Sequence, residues 1–169
     1  MNKKIKIIDL GLMDYKKAWD FQQSLFDEII EIKKKNRKNN LNEPTPNYLV
    51  FVEHPHVYTL GKSGNVSNLL INQVQLKENK ASFYKINRGG DITYHGPGQI
   101  MGYPIFDLDN FFTDINLYLR KLEEVIINTL KSYSLKGFTI EGETGVWVED
   151  EDGLSKKICA FGIRASRWV

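Results

Sequence analysis

Apolar and polar positions along the 169-residue chain form two helical stripes separated by short extended runs. Residues 4–8 alternate and then turn apolar, which predicts a first strand ending near Gly11. Asp14 suits an N-cap, and Tyr15, Ala18, Trp19, Leu25, Phe26, Ile29 and Ile30 then recur at three- and four-residue steps. That stripe predicts a long helix with Trp19 and Phe26 as core anchors. Helical character decays from Lys33 to Asn40, and Pro44 and Pro46 forbid continuation, so an exposed loop follows. Residues 47–53 are a near-continuous apolar run, the mark of a central strand covered on both faces, and they deliver His54 at their end. Residues 57–60 continue extended up to a Gly61-Lys62-Ser63-Gly64 loop. Residues 65–80 are polar and read as irregular.

Residues 81–87 and 101–108 predict two more strands, with a glycine-rich segment as a hairpin-like junction between them. Thr113 or Asp114 caps a second helix, whose buried stripe is Ile115, Tyr118, Leu119, Leu122, Val125, Ile126, Leu130 and Tyr133. Short strands at 138–141, 145–149 and 156–164 complete the chain, the last two joined by a turn containing Asp152-Gly153. This order predicts an α+β fold in one domain, residues 1–169, with a mixed central sheet flanked by helices.

The stretch from Arg88 to Pro104 holds five of the 13 glycines, two of the five prolines and one of the three histidines. Glycine permits positive φ and close backbone approach, so Gly89-Gly90 and Gly96-Pro97-Gly98 read as two sharp loops around an extended piece, Ile92 to Tyr94. Arg88, Thr93, Tyr94, His95 and Gln99 place proton donors and acceptors between them. A generic loop of this composition is a turn-rich connection with a solvated lining; the strand-like flanks and the density of chemically capable side chains set this one apart.

Composition narrows the function classes. With 41% hydrophobic and 26% charged residues the chain is an ordinary globular sequence. A net charge of +2 gives no preference for a nucleic-acid backbone. A basic run (Lys33, Lys34, Lys35, Arg37, Lys38) and an acidic one (Glu149 to Asp152) are solvated faces, or in the basic case a greeting for an acidic partner. The single cysteine, Cys159, excludes an intrachain disulfide and suits a reducing compartment. His54-Pro55-His56 lacks further ligands at metal-binding spacing, and Gly61-Lys62-Ser63 lacks the upstream glycine of a nucleotide-binding loop. Nothing approaches the ~20 apolar residues of a membrane span. No signal peptide opens the chain, so it reads as cytoplasmic, with no metal, no cofactor and no membrane or nucleic-acid partner.

Arg88-Gly89-Gly90-x-x-Thr93-Tyr94-His95-Gly96-Pro97-Gly98-Gln99, followed by Tyr103-Pro104, resembles the signature of the lipoyl(octanoyl) transferases. Glu53-His54-Pro55 leading to Tyr58-Thr59-Leu60-Gly61 is similar to a second block of that family. Gly145-Val146-Trp147-Val148 leading to Lys157-Ile158-Cys159-Ala160-Phe161-Gly162-Ile163-Arg164 is similar to a third. The resemblance implies the fold of biotin and lipoate protein ligases, which is class II synthetase-like. It also implies transfer of an octanoyl group from octanoyl-acyl carrier protein to a lysine of lipoyl domains, through a cysteine thioester. The implied protein acceptors are the lipoyl domains of 2-oxoacid dehydrogenases and the glycine cleavage H protein.

Acyl transfer needs a thiolate, a cation or base beside it, oxyanion donors and a slot for the chain. Lys157 starts an apolar strand, where its ammonium would be partly desolvated, although the sequence alone favours an ordinary strand-end lysine with its head in water. The resemblance favours the catalytic role for Lys157, and substrate-binding roles for Arg88, Gly89, Gly90, Asp91, Ile92, Thr93, Tyr94, His95, Ala160, Phe161 and Gly162, with an apolar pocket behind the polar loop. His54 either caps backbone groups or lines the pocket. In a regular strand Lys157 and Cys159 share a face, yet a lone cysteine between Ile158 and Ala160 is more often a small buried hydrophobe. The family's nucleophilic cysteine lies in a Pro-Cys-Gly element beyond this point. The sequence is therefore expected to be a C-terminally incomplete fold, stopping mid-strand at Val169 and lacking the nucleophile. The rival readings are an ATP-dependent lipoate or biotin ligase and an inactive remnant that binds acyl chains or lipoyl domains.

Overall fold

Asp14 opens the longest helix, its carboxylate accepting from the Lys17 N–H at 3.1 Å. The computed structural model describes residues 1–169. Helix α1 (Tyr15–Asn39) follows strand β1 (Lys6–Leu12) and ends at Asn40, which takes a left-handed φ of +52°. It runs through the basic segment instead of decaying there, where three of the five cations are paired and Arg37 and Lys38 stand in the last turn beside the negative end of the helix dipole. Lys33 Nζ lies 2.5 Å from Asp107 and 2.7 Å from Asp109, Lys35 is 2.9 Å from Glu43, and Lys34 is 2.5 Å from Glu31. The expected cationic face is largely neutralised by the chain's own carboxylates.

The chain divides into two compact units, residues 1–113 with 164–169, and residues 114–163. In the first unit, β2 (Tyr48–Glu53) is central to a mixed sheet of order β1-β2-β6, parallel to β1 and antiparallel to β6 (Met101–Ile105). Val50 is fully buried, and Leu25, Ile29 and Ile30 of α1 pack with Tyr48, Val50 and Val169 into the core. A second mixed sheet has the order β4-β3-β5. Its middle strand β3 (Val57–Leu60) runs parallel to β4 (Ser82–Lys85) and antiparallel to β5 (Ile92–His95). The predicted mixed sheet is thus present, divided in two. His54-Pro55-His56 is the corner by which the chain leaves β2 in one sheet for β3 in the other.

The split corrects one expectation. The segment between β4 and β6 is not a hairpin junction: β4 and β5 flank β3 on opposite sides, while β6 belongs to the other sheet. Residues 65–80 are also less irregular than their polarity suggested. They hold a 3-10 turn (Val66–Asn68) and helix α2 (Gln73–Glu78), which begins with a reciprocal capping box between Asn72 and Gln75. The last residues are not mid-strand. Ser166 and Val169 exchange backbone hydrogen bonds (2.9 and 3.1 Å), and the Leu108 N–H donates to the Trp168 carbonyl at 2.7 Å.

The second unit contains α3 (Ile115–Ser132), capped by Asp114, and the antiparallel pair β7 (Val146–Glu149) and β8 (Ser155–Cys159). Strand 138–141 is not formed; Phe138 makes an isolated bridge to Trp147. Strand β8 stops at Cys159, short of the expected residue 164. The α3 stripe is narrower than its periodicity implied: Val125 and Tyr133 are 58% and 71% exposed, whereas Leu130 and, unexpectedly, Glu123 are buried. No helix is long and apolar enough to cross a membrane.

Ile29 is fully buried at the α1–sheet contact. Ile29→Ala is therefore expected to lower unfolding stability by about 2–5 kcal/mol, read from urea titration; a loss well below that range would contradict its core placement.

Candidate functional site

Arg88 holds the glycine-rich segment together from inside. Its Nη2 donates to the Thr59 carbonyl (2.9 Å), the Thr59 hydroxyl (3.0 Å) and the Asp91 carbonyl (2.9 Å), and its Nη1 donates to the Gly89 carbonyl (2.8 Å). The guanidinium thus ties the Arg88–Asp91 loop to the buried strand β3. The neighbouring loop fits against it: the Gly61 N–H donates to the Asp91 carbonyl (3.1 Å) and the Lys62 N–H to the Arg88 carbonyl (3.0 Å). A Cβ on Gly61 would lie 2.2 Å from the Gly90 carbonyl oxygen, so no larger residue fits without moving backbone. Ser63 Oγ donates to the Gly90 carbonyl at 3.0 Å, and the Asp91 carboxylate accepts from the Asn65 N–H and the Asn68 side chain. Gly90 and Gly98 take φ of +88° and +82°, in keeping with the two sharp loops expected.

Strand β5 sorts its side chains by face. Ile92 pairs with Leu60, Thr93 with Thr59, Tyr94 with Tyr58 and His95 with Val57. Tyr94 is on the open side at 42% exposure, its hydroxyl 2.6 Å from His56 Nδ1. His95 is on the closed side and buried. His95 Nδ1 lies 3.2 Å from Gln99 Oε1 and Nε2 lies 3.5 Å from Thr59 Oγ1. Burial lowers its pKa to about 4; the Gln99 contact opposes this, and His54 and the Arg88 cation add to it. At neutral pH the ring is an uncharged imidazole beside a guanidinium.

His54 stands behind it, fully buried. Its Nδ1–H donates to the Met13 carbonyl at 2.9 Å, which in the neutral ring leaves Nε2 to accept from the Tyr103 hydroxyl at 2.9 Å. Both nitrogens are therefore occupied, one of them by backbone. Tyr15 fills the remaining space, stacked on His95 (centroids 6.0 Å, 7° between planes) and Tyr84 (5.4 Å) and edge-on to His54 (5.1 Å). Burial pushes the Tyr15 and Tyr103 hydroxyls above their ordinary pKa of 10, so both stay protonated. Behind the polar loop lies this aromatic and hydrogen-bonded cluster.

In the second unit Lys157 is exposed, its Nζ 4.5 Å over the ring of the buried Trp147. Its ammonium is held by a cation–π contact rather than by desolvation in a strand core. Trp147 pairs with Lys157 but Val146 pairs with Cys159, so Ile158 is an extra residue and a bulge separates the two. Since cross-strand partners share a face, Lys157 and Cys159 do not. Burial first, and Glu123 second, push the Cys159 thiol up, the opposite of what an activated thiolate requires. Ala160 and Gly162 are exposed and Phe161 is half-buried beyond β8. Hollows of about 250 and 480 Å³ lie near the end of α3, around Ser134, Leu135 and Lys136, and are lined by none of the expected site residues.

Sequence reasoning missed Tyr15, Thr59 and Tyr103 as parts of the histidine cluster. Thr59 carried a signal, a hydroxyl inside an apolar strand run; Tyr15 matched the helical stripe and carried none. It also missed Glu123, a carboxylate at a stripe position between Leu119 and Ile126.

The sequence profile of the lipoyl protein ligase A/B catalytic domain matches residues 14–169. Over its full length the chain is 63% identical to an octanoyltransferase of Flavobacterium johnsoniae, covering 73% of that protein. It is 60% identical to an octanoyltransferase of Christiangramia forsetii, covering 72%. Among solved structures, a bipartite lipoate protein ligase from Thermoplasma acidophilum superposes with a TM-score of 0.59 at 19% identity, over 93% of this chain and 55% of that one. The chain thus spans about half of that structure, and the likeness establishes the fold.

His95 gives a test of the buried cluster. Its folded pKa of about 4 lies below the unfolded 6.5, so the stabilising effect is intact above pH 6.5. It is lost as pH falls towards 4, because the unfolded chain takes the proton first. Urea unfolding between pH 7 and 4 should show a loss of up to about 3 kcal/mol that His95→Gln reduces; equal pH slopes in the two proteins would contradict the burial.

Proposed function

The chain belongs to the lipoyl protein ligase A/B catalytic-domain family, and from that membership we propose that it is an acyltransferase of lipoate biosynthesis. The reaction moves an octanoyl group from the thioester of octanoyl-acyl carrier protein to the ε-amine of a lysine in a lipoyl domain. The acceptors are those of the 2-oxoacid dehydrogenases and the glycine cleavage H protein, in the cytoplasm. The carbonyl–sulfur bond breaks, a carbonyl–nitrogen bond forms, and the amine proton leaves with the released thiol. The single observation that carries this reading is full-length identity of 60–63% to octanoyltransferases. The family profile runs through both compact units, which supports reading residues 1–169 as one catalytic domain.

The geometry supports distinct roles for the two units. In the first, the Arg88 loop is a rigid substrate-binding edge: its guanidinium is consumed by backbone and Thr59, so Arg88 shapes the loop, Gly89, Gly90, Asp91 and Tyr94 form its exposed surface, and the half-buried Ile92 and Thr93 complete it. His95 is neutral and hydrogen-bonded, suited to orient a polar group and not to carry charge at neutral pH. His54 acts as its support. In the second unit Lys157 supplies the cation or, deprotonated, the base for the attacking amine, with Ala160, Phe161 and Gly162 beyond it as a second substrate-contacting segment. Cys159 is assigned no covalent step, because its thiol is pushed up and out of register with Lys157.

The native protein should form octanoyl-lysine on an apo lipoyl domain from octanoyl-acyl carrier protein without ATP, as read by intact-protein mass spectrometry. Lys157→Ala should slow transfer by about 10²- to 10⁴-fold while leaving the melting temperature unchanged, and no thioester should appear at Cys159. Transfer that requires ATP and free octanoate would move the protein to the ligases of this fold; absence of both reactions would leave a binding module.

A further inference from the structure

Glu123 is 1% exposed in the middle of α3, whose other charged side chains are exposed. A carboxylate stays in such a position only if hydrogen bonds and counter-charge replace the lost water. One oxygen has a full partner: Oε1 accepts from the buried Gly145 N–H at 3.0 Å. The other does not. Arg120 Nη1 approaches Oε2 to 2.7 Å, but no N–H is aligned on it, so this is a charge contact without a hydrogen bond.

Gly145 connects that carboxylate to Lys157. Its φ of +138° is closed to ordinary L residues, and a Cβ there would stand 2.7 Å from the Cys159 carbonyl oxygen. The same Cβ would be 3.2 and 3.3 Å from Lys157 Cε and Cδ, so the bare Gly145 Cα forms the wall against which the lysine stem lies. The stem then carries Nζ over the Trp147 ring. A hydrogen bond to the Gly145 amide therefore fixes the surface that sets where the Lys157 ammonium sits.

We propose that Glu123 is a positioning residue for Lys157, acting through the Gly145 backbone amide. The inference rests on Lys157 being the catalytic cation, and it names the group that holds this cation in place. Glu123 itself touches no substrate.

The test uses the native protein and separates the two ideas. The Lys157 ε-methylene protons lie near the Trp147 ring and should be shifted upfield in the NMR spectrum. Glu123→Gln keeps a carbonyl acceptor at the same length, and should keep both that shift and the transfer rate. Glu123→Met has similar bulk without an acceptor; it should abolish the shift and lower kcat by about 10- to 100-fold, the equivalent of one hydrogen bond to a charged group, with KM unchanged. Glu123→Asp, which keeps the charge but withdraws the oxygen, should show the same change in smaller degree and serves if the Met variant does not fold. In a Lys157→Ala background, Glu123→Met should cost nothing further. An unaltered methylene shift in both Met and Asp variants, or an equal rate loss with and without Lys157, would overturn the proposal. Full transfer by Lys157→Ala alone would instead sink the catalytic reading of Lys157, while the NMR shift still reports on the Glu123 hold.

Discussion

The Arg88 guanidinium is the fixed point of the first unit, because one planar cation satisfies acceptors on a buried strand and on a loop at once. Two of its bonds reach Thr59, which is wholly buried on β3, and two reach carbonyls of its own loop. A lysine has no fork with which to make that set. From this tie the rest follows locally. The loop is held close enough to β3 for Gly61 to meet Gly90 without a side chain between them. Strand β5 is delivered in a register that turns His95 inward and Tyr94 outward. The inward histidine loses its water, and that burial keeps the ring neutral, with His54 and the Arg88 charge adding to the effect.

The second unit solves a similar problem with different parts. A regular hairpin would place Lys157 and Cys159 side by side and invite reaction chemistry at the thiol. The extra residue at Ile158 prevents this, sending the lysine to Trp147 and the sulfur to the other face, where burial and then the Glu123 charge push the thiol pKa up. Charge thus reaches the surface on one face, while a half-buried thiol lies on the other. Gly145 lies where the two strands and the α3 carboxylate meet, which accounts for a conformation that no larger residue takes without strain.

How much was legible in the sequence depends on the range of the interactions. Asp14 and Asp114 as caps, both long helices, the strands at β2, β3 and β5, and the turn at Asp152-Gly153 all follow from contacts within a few residues, and all are present. The length of α1 was not legible, because Lys33 is neutralised by carboxylates more than seventy positions away. The division of the strands into two sheets was hidden for the same reason: only the corner at His54-Pro55-His56 marks it, and a proline turn there is equally compatible with one continuous sheet. Among site residues, the glycine-bracketed segment was plain from composition. Its partners Tyr15 and Tyr103 were not, since an aromatic in a helical stripe looks the same whether it faces aliphatic core or an imidazole. A bulge leaves no mark in an apolar strand, so Lys157 and Cys159 could not be separated before the register was known.

The site depends on the imidazole of His95 being buried and uncharged beside Arg88. Titrating the three histidine rings by NMR, with His95 assigned through His95→Gln, measures this directly. A His95 midpoint near pH 4 is the predicted result; a midpoint at or above the ordinary 6.5 would mean that the ring is open to water or paired with an anion, and the arrangement described for this site would be wrong.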